Sequence, residues 1–407
     1  MTGIGGRAMR RSAVAITVGC AFASLVACSS TGNGSSQSSG GAGSGKGYAV
    51  SITADLSGPG GGNGAAGVAG FTAAVKSVNA AGGVNGKQIQ LDSPIDASST
   101  TSGVQAATRK ALTQSPIAIF TNELNNSSAV PLLQQANIPT LSLTSLDSMQ
   151  IPPAPWFFSA SISSAQAGTA WLAQAKQTLD GSLTGKKVAI VHFDSVSLGL
   201  YADTWKKSIE AAGGSVVANF AIPPTIASFT SQAAQIASAK PDLVFVYDLA
   251  PSTVLEVQAL KDAGYTGSVM AGDTINDDAT IAKLTAINPQ FAASRLYSTA
   301  QQGDALTQAA TAYGYGDQVT SSYFSKGWAL GHALAAGLKA CGIDCSASKL
   351  ESVLQDTGPV TVPGDIAYGP LQFSTQSHTF ATAMQFFKWD AAQSKVVPAS
   401  KPVALNS

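Results

Sequence analysis

The sequence is short of charge and of histidine. Only 11% of its 407 residues are charged, and 23 basic residues balance 23 acidic ones. Such a chain has no overall basic field to attract nucleic acid, so we expect no nucleic-acid partner. Its three histidines, His192, His332 and His378, argue against a metal or acid–base site built on histidine. We therefore predict neither a metal nor a cofactor.

The common catalytic motifs are also missing. The chain has no G-x-S-x-G elbow, no H-E-x-x-H pair and no Walker loop, because the spacing of Gly82–Lys87 fails. Gly62–Gly67 fits G-x-G-x-x-G, but a Gly-rich segment matches that pattern easily by chance. We expect it to form a turn that offers backbone N–H groups at the start of a helix, Val68–Asn79. We predict a protein without catalytic activity; an extracytoplasmic enzyme is the alternative.

The first 46 residues indicate export. Three arginines precede an apolar run, Ala13–Ala27, that is too short to span a bilayer comfortably. Leu25-Val-Ala-Cys28 resembles the lipobox of bacterial lipoproteins, which implies a signal peptide at 1–27, lipidation of Cys28 and anchoring to the outer face of the cell membrane. Residues 28–46 would be a flexible Ser/Gly tether. The alternatives are an ordinary cleaved signal or an uncleaved anchor, and we favour the general secretory route over the twin-arginine route.

Few cysteines remain after export. Cys20 would leave with the signal peptide and Cys28 would carry lipid, so Cys341 and Cys345 form the remaining pair. In an exported protein this pair predicts a small local disulfide. The spacing differs from that of thioredoxin-like redox motifs, and a metal site would need two further ligands nearby.

The mature chain alternates buried strands with helices. Lys187–Phe193 and Leu243–Tyr247 are apolar runs typical of strands buried on both faces, and a helix is expected at Tyr201–Gly213. Strands separated by helices form parallel sheets, in which ligands bind beyond the carboxyl ends of the strands. Asp194–Leu198 and Asp248–Pro251 are therefore candidate walls of a binding site.

An earlier block repeats this alternation. Strands are predicted near residues 48–55, 88–92, 117–120 and 138–142, with helices between them. Three prolines at 152, 153 and 155 then interrupt the rhythm, and we place a crossover between two α/β units there.

Several segments occur in an order that resembles one family. They are Leu56-Ser57-Gly58, Asn79-Ala-Ala-Gly-Gly-Val-Asn-Gly86, Ile138-Pro139-Thr140, Ala211-Ala-Gly-Gly214, Phe229, Lys240-Pro241-Asp242 and Tyr368-Gly-Pro-Leu371. Together they resemble the branched-chain amino acid (leucine/isoleucine/valine) class of type I periplasmic binding proteins, the solute receptors of ABC importers. The resemblance spans about Tyr48 to Trp389.

The resemblance implies an α/β fold of two Rossmann-like lobes with parallel central sheets joined by three hinge crossovers. Lobe one would comprise 47–161 plus 299–366, and lobe two 162–298 plus 367–407. The protein would be a monomer that closes over a small amino-acid-like ligand, with a branched-chain amino acid favoured, and delivers it to an ABC permease. An amide, urea or an aromatic acid is the alternative ligand, and ligand sensing is the alternative role.

The same resemblance implies where the ligand binds. Hydroxyl groups and backbone N–H groups would hold a carboxylate, an acid would hold an ammonium group, and apolar side chains would line the rest. The candidates all follow strands: Ser57, Asn122, Asn125, Ser142, Thr144 and Ser145 in lobe one, and Leu198, Tyr247, Asp248 and Asp273 in lobe two. Asn126 follows the same strand as Asn122 and Asn125 and is considered with them. Each could instead be a helix cap, a turn residue, a solvated acid or a core tyrosine.

The sequence departs from the family at two places. Leu198 stands where many relatives have an aromatic residue. Ser159 stands directly after the aromatic run that ends at Phe158, where relatives often have an arginine. These departures keep the amide, urea and aromatic-acid alternatives open.

Overall fold

A computed structural model describes residues 47–223, 226–299 and 303–405. The first sheet has six strands, which are β1 Tyr48–Ala54, β2 Ile89–Leu91, β3 Ile95–Asp96, β4 Ala118–Asn122, β5 Thr140–Ser142 and β6 Phe157–Ser159. Their order is β2-β1-β4-β5-β6, with β3 beside the far end of β1, and every pairing is parallel.

The second sheet has eight strands. They are β7 Lys187–Phe193, β8 Ser215–Ile222, β9 Leu243–Tyr247, β10 Ser268–Ala271, β11 Phe291–Arg295, β12 Ala383–Asp390, β13 Lys395–Pro398 and β14 Val403–Ala404. The order is β8-β7-β9-β10-β11-β12-β13, and β14 also pairs with β12. β7 to β11 run parallel, whereas β12 is antiparallel to its neighbours.

Helices connect the strands. They are α1 Gly61–Ala80, α2 Thr101–Leu112, α3 Val130–Ala136, α4 Asp147–Gln150, α5 Ser164–Thr178, α6 Val196–Ala211, α7 Thr230–Ala239, α8 Ala250–Asp262, α9 Asp278–Ile287, α10 Ala305–Ala312, α11 Ser322–Cys341 and α12 Ala347–Leu354, with a 3-10 helix at Asn126–Ala129. Most of the residues of β7 and β9 are buried because helices cover the sheet.

The chain passes between the two halves three times. It leaves the first sheet after β6, leaves the second sheet after β11 for α10 and α11, and returns through β12. α11 packs along α1, which follows the first strand of the first sheet. The predicted α/β fold of two lobes with parallel central sheets is confirmed, while the exact lobe boundaries at 161, 298 and 366 remain a prediction.

The Gly-rich segment was predicted wrongly as a turn, because α1 begins at Gly61 rather than Val68. Close backbone contact explains the glycines inside this helix. A Cβ atom on Gly64 would lie 1.7 Å from the carbonyl oxygen of Asp55, and one on Gly67 would lie 2.3 Å from Leu143 Cδ1. The G-x-G-x-x-G pattern is therefore a packing surface of α1.

α1 and α11 also touch through glycine. A Cβ atom on Gly327 would lie 2.1 Å from the carbonyl oxygen of Gly67, and one on Gly70 would lie 1.9 Å from that of Phe324. The two helix backbones thus meet without side chains between them, which fixes the position of α11 against the first sheet.

The remaining predictions have different outcomes. The Cα atoms of Cys341 and Cys345 are 5.3 Å apart, within disulfide distance. The signal peptide, Cys28 and the tether lie outside the described residues. Among the residues that are described, no helix is both long and apolar enough to cross a membrane.

Candidate ligand-binding site

A cleft lies where the carboxyl ends of strands from both sheets meet. Its lining follows β4, β5 and β6 of the first sheet, β7, β9 and β10 of the second, and the start of α11. The residues are Leu124, Asn126, Leu143, Thr144, Ser145, Ser161, Phe193, Ser195, Ser197, Leu198, Tyr247, Leu249, Asp273, Thr274 and Tyr323. Small hydroxyl groups alternate with apolar side chains, which suits a ligand with a polar head and an apolar body.

The cleft is narrow. Its volume is about 60 Å³, whereas pockets for drug-sized ligands commonly have ~300–1,000 Å³. Contacts also bridge its two sides: the backbone N–H of Ser322 donates to the carbonyl oxygen of Asn276 over 2.7 Å, and the Asn276 amide donates to Asn63 Oδ1. The walls must therefore move apart to admit a ligand.

The loop after β5 forms the first wall, with Thr144 and Ser145 at the surface of the cleft. The amide of Asn126 donates to Thr144 Oγ1 over 2.9 Å and to the carbonyl oxygen of Ser145 over 3.0 Å. Ser142 is fully buried behind them, and its hydroxyl donates to the carbonyl oxygen of Thr144 over 2.8 Å. Ser142 supports the wall without lining it.

The other candidates of the first lobe lie elsewhere. The Ser57 hydroxyl is exposed and donates to Asp96 Oδ2 over 2.6 Å. The amide of Asn122 donates to the carbonyl oxygen of Asn63 in α1, and that of Asn125 donates to Ser99, each over 2.9 Å. None of these three side chains lines the cleft itself. Asn125 lines a neighbouring cavity of about 170 Å³ that shares Ser195 and Ser197 with the cleft.

The second wall holds Leu198 and Tyr247. Leu198 lies in the first turn of α6, where its backbone N–H donates to the capping hydroxyl of Ser195 over 3.2 Å. The Tyr247 ring fits against Gly272, on which a Cβ atom would lie 2.0 Å from Tyr247 Cδ2. This position lets the phenol donate to Asp273 Oδ1 over 2.8 Å. Burial and the nearby Asp273 charge raise the pKa of Tyr247 well above its ordinary value, so it remains a neutral donor.

Asp273 already has a cationic partner. The ammonium of Lys326, on α11, donates to Asp273 Oδ2 over 2.7 Å, and both side chains are buried. Burial alone would lower the pKa of Lys326, but the Asp273 charge, the Tyr323 phenol and the hydrogen bond outweigh burial and raise it. The lysine is therefore a fixed cation that joins the two halves of the molecule.

Asp248 turns away from the cleft. It is fully buried, and one of its oxygens accepts the backbone N–H of Leu249 over 2.5 Å. Its other neighbour is the Glu256 carboxyl of α8. Burial, with the Asp248 charge beside it, raises the pKa of Glu256 well above its ordinary value. Burial also raises the pKa of Asp248, although the hydrogen bond from the Leu249 backbone N–H opposes that rise.

Lys326, Ser161 and Tyr323 are the chemically important residues that the sequence analysis missed. One signal pointed to Lys326. It stands between Phe324 and Trp328 in a helix that has no other Lys, Arg, Asp or Glu before Lys339, and a lone lysine on a buried stripe requires a partner. Within the described residues, no three His, Cys, Asp or Glu side chains are close enough together to hold a metal ion.

A family profile described as "Periplasmic binding protein" matches residues 48–395. The chain belongs to the periplasmic binding protein family. Members of this family bind solutes outside the cytoplasm, which confirms the predicted family and the extracytoplasmic location.

Two named relatives are similar to this chain over most of its length. Over 354 residues the chain is 22% identical to the Leu/Ile/Val-binding protein homolog 3 of Brucella melitensis, covering 84% of this chain and 91% of that protein. It is 24% identical to the Leu/Ile/Val-binding protein BraC3 of Rhizobium johnstonii, covering 84% of this chain and 92% of the relative.

Solved structures of other periplasmic binding proteins share the fold. A branched-chain amino acid ABC transporter protein from Thermus thermophilus with bound valine has a TM-score of 0.76 at 15% identity, covering 88% of this chain and 97% of that one. A solute binding protein from R. palustris in complex with 4-hydroxybenzoate has a TM-score of 0.72 at 19% identity, covering 88% and 98%. At these identities the likeness shows the fold alone.

Proposed function

We propose that this periplasmic binding protein is the lipid-anchored solute receptor of an ABC importer. It closes over one small molecule of amino-acid size and delivers it to a membrane permease. The anchor at Cys28 and the tether at 28–46 would hold the receptor near that permease.

The cleft carries this proposal. It is built from the strand ends of both sheets, so movement of the lobes opens and closes it. Its hydroxyl groups suit a polar head, and Phe193, Leu198 and Leu249 suit an apolar body. Ligand binding shifts the population toward the closed form by its differential affinity for the two forms.

The ligands of two related structures indicate which chemical classes of ligand this fold can bind. One neighbour holds valine and another holds 4-hydroxybenzoate, so the same architecture accepts an aliphatic amino acid or an aromatic acid. The relatives named as Leu/Ile/Val-binding proteins support an amino-acid-sized ligand.

A thermal-shift screen of the purified protein tests the proposal. The panel holds the twenty amino acids, their deaminated acids, small amides, urea and aromatic acids. A ligand at a hundred times its dissociation constant adds ~2.7 kcal/mol to the free energy of unfolding, which should raise the melting temperature by several degrees. The lack of a response to every compound would contradict the proposal.

Two further measurements on the same preparation separate the alternatives. Mass spectrometry of the bound ligand after incubation should return it unchanged, and a converted product would identify an enzyme. The protein should be recovered with the membranes, and recovery from the soluble fraction alone would contradict the anchor.

A further inference from the structure

The ammonium of Lys326 is fully surrounded by protein groups. It donates to Asp273 Oδ2 over 2.7 Å and to the Ser161 hydroxyl over 3.2 Å, and it lies 4.5 Å from the centre of the Tyr323 ring. Asp273, Ser161 and Tyr323 all line the cleft. An anion, a hydroxyl oxygen and an aromatic face are the groups that bind an ammonium ion strongly.

The lysine therefore occupies the position that a ligand's ammonium group would need. Among the described residues that line the cleft, Asp273 is the only one whose side chain carries a formal negative charge. One of its oxygens receives Lys326 and the other receives the Tyr247 phenol. A ligand amine would find no unpaired carboxylate there, and it would place a second positive charge beside the first.

Lys326 has no room to move aside. Only 1% of its surface is exposed. The next residue, Gly327, is the point at which α11 meets the backbone of α1 at Gly67. A shift of the helix would disturb this close contact between the two backbones.

The other side of the cleft favours a negative charge. Ser195, Ser197 and Leu198 place the first turn of the 16-residue helix α6 in the lining. The backbone N–H groups of a helix start and its partial positive charge stabilise anions. The hydroxyl groups of Ser145 and Ser197 add donors to the same cleft.

From these contacts we propose that the ligand is a small carboxylic acid with an apolar body and no α-ammonium group. Lys326 takes the place of that group within the protein. This inference rests on the proposed function as a solute receptor and specifies the chemical class of its ligand.

Matched pairs of compounds test the ligand class. Isothermal titration of the full-length protein compares leucine with 4-methylpentanoate, phenylalanine with 3-phenylpropanoate, and 4-hydroxyphenylglycine with 4-hydroxyphenylacetate. We expect the deaminated acid of at least one pair to bind on the order of 100-fold more tightly than its amino acid.

The outcomes separate the two proposals. Equal or tighter binding of the amino acids would overturn the ligand class and leave the receptor function intact. If the matching amide bound more tightly than the acid, the proposal that the ligand carries a carboxylate would be wrong. If none of these pairs binds while another compound of the thermal-shift panel does, the ligand class is overturned and the receptor function stands. Silence from the whole thermal-shift panel would overturn the receptor function itself.

A variant reverses the expected preference. Lys326→Met removes the internal ammonium and leaves Asp273 able to bind the ammonium of a ligand, so the amino acid of the pair should gain affinity while its deaminated acid does not. Lys339→Met is the matched control, because Lys339 lies on the same helix and is exposed. If Lys326→Met does not fold, the comparison of matched ligands on the unmodified protein decides alone.

Discussion

Asp248 and Asp273 follow two neighbouring strands of one sheet and have opposite surroundings. Asp273, after β10, faces the cleft and pairs with the Lys326 ammonium at 2.7 Å. Asp248, after β9, is fully buried beside another acid, Glu256. The strand end gives both residues the same place at the edge of the sheet, whereas the partner that a helix supplies, Lys326 of α11 or Glu256 of α8, determines what the carboxyl group does.

The largest expected effect comes from removing the acid of the ion pair. Asp273→Ala leaves the Lys326 ammonium buried without a counter-charge, which should lower the free energy of unfolding by ~3–5 kcal/mol. Urea denaturation measures the loss. Asp262→Ala, at an exposed site, should change stability by less than ~0.5 kcal/mol.

The double variant Asp273→Ala with Lys326→Met completes this test. Because both charges are then absent, it should recover part of the stability that Asp273→Ala loses. A double variant less stable than the single one would show that the pair is not a coupled unit.

A smaller effect, dependent on pH, is expected at the acid pair. The raised pKa of Glu256 means that the native state keeps a proton that the unfolded state releases once the pH passes the ordinary value of 4.5. Below pH 4.5 the contribution of Glu256 to the free energy of unfolding is therefore fully present. As the pH rises from 4.5 toward the native pKa, this contribution falls by up to ~1.4 kcal/mol per pH unit.

Glu256→Gln should remove this dependence. The variant should be more stable than the unmodified protein at pH 8 by at least ~1 kcal/mol, with a flatter stability profile between pH 5 and pH 8. Denaturation at several pH values measures it, with the exposed Glu210→Gln as control. An unchanged slope would contradict the raised pKa of Glu256 in the native state.

The smallest effect should appear in ligand binding by Asp248→Asn. Asp248 does not line the cleft, so affinity for the best ligand of the thermal screen should change by less than about threefold, or ~0.6 kcal/mol. Leu198→Ala removes part of the apolar wall and should weaken binding by about tenfold. A tenfold loss of affinity in Asp248→Asn would show that Asp248 does contribute to ligand binding.

Much of the site was predictable because parallel strands bring their carboxyl ends to one edge. Thr144, Ser145, Leu198, Tyr247 and Asp273 were selected by that rule, and the structure places all five in the cleft lining. Whether each of them contacts a ligand remains a prediction.

Other residues could not be predicted from strand position. Side chains at a strand end point to either face of the sheet, and the amide of Asn122 reaches α1 rather than the cleft. Lys326 lies 53 residues from Asp273 along the chain, so their pairing depends on how α11 packs against α1. Sequence periodicity carries no information about that contact.

The glycine contact between α1 and α11 has a consequence for conformational entropy. A lysine side chain loses up to ~1.5–2 kcal/mol of rotamer freedom when it becomes fixed. In this molecule the backbone contact at Gly67 and Gly327 holds the lysine's helix in place, so that loss occurs once, when the chain folds. Each later encounter with a ligand begins from a cation that is already ordered.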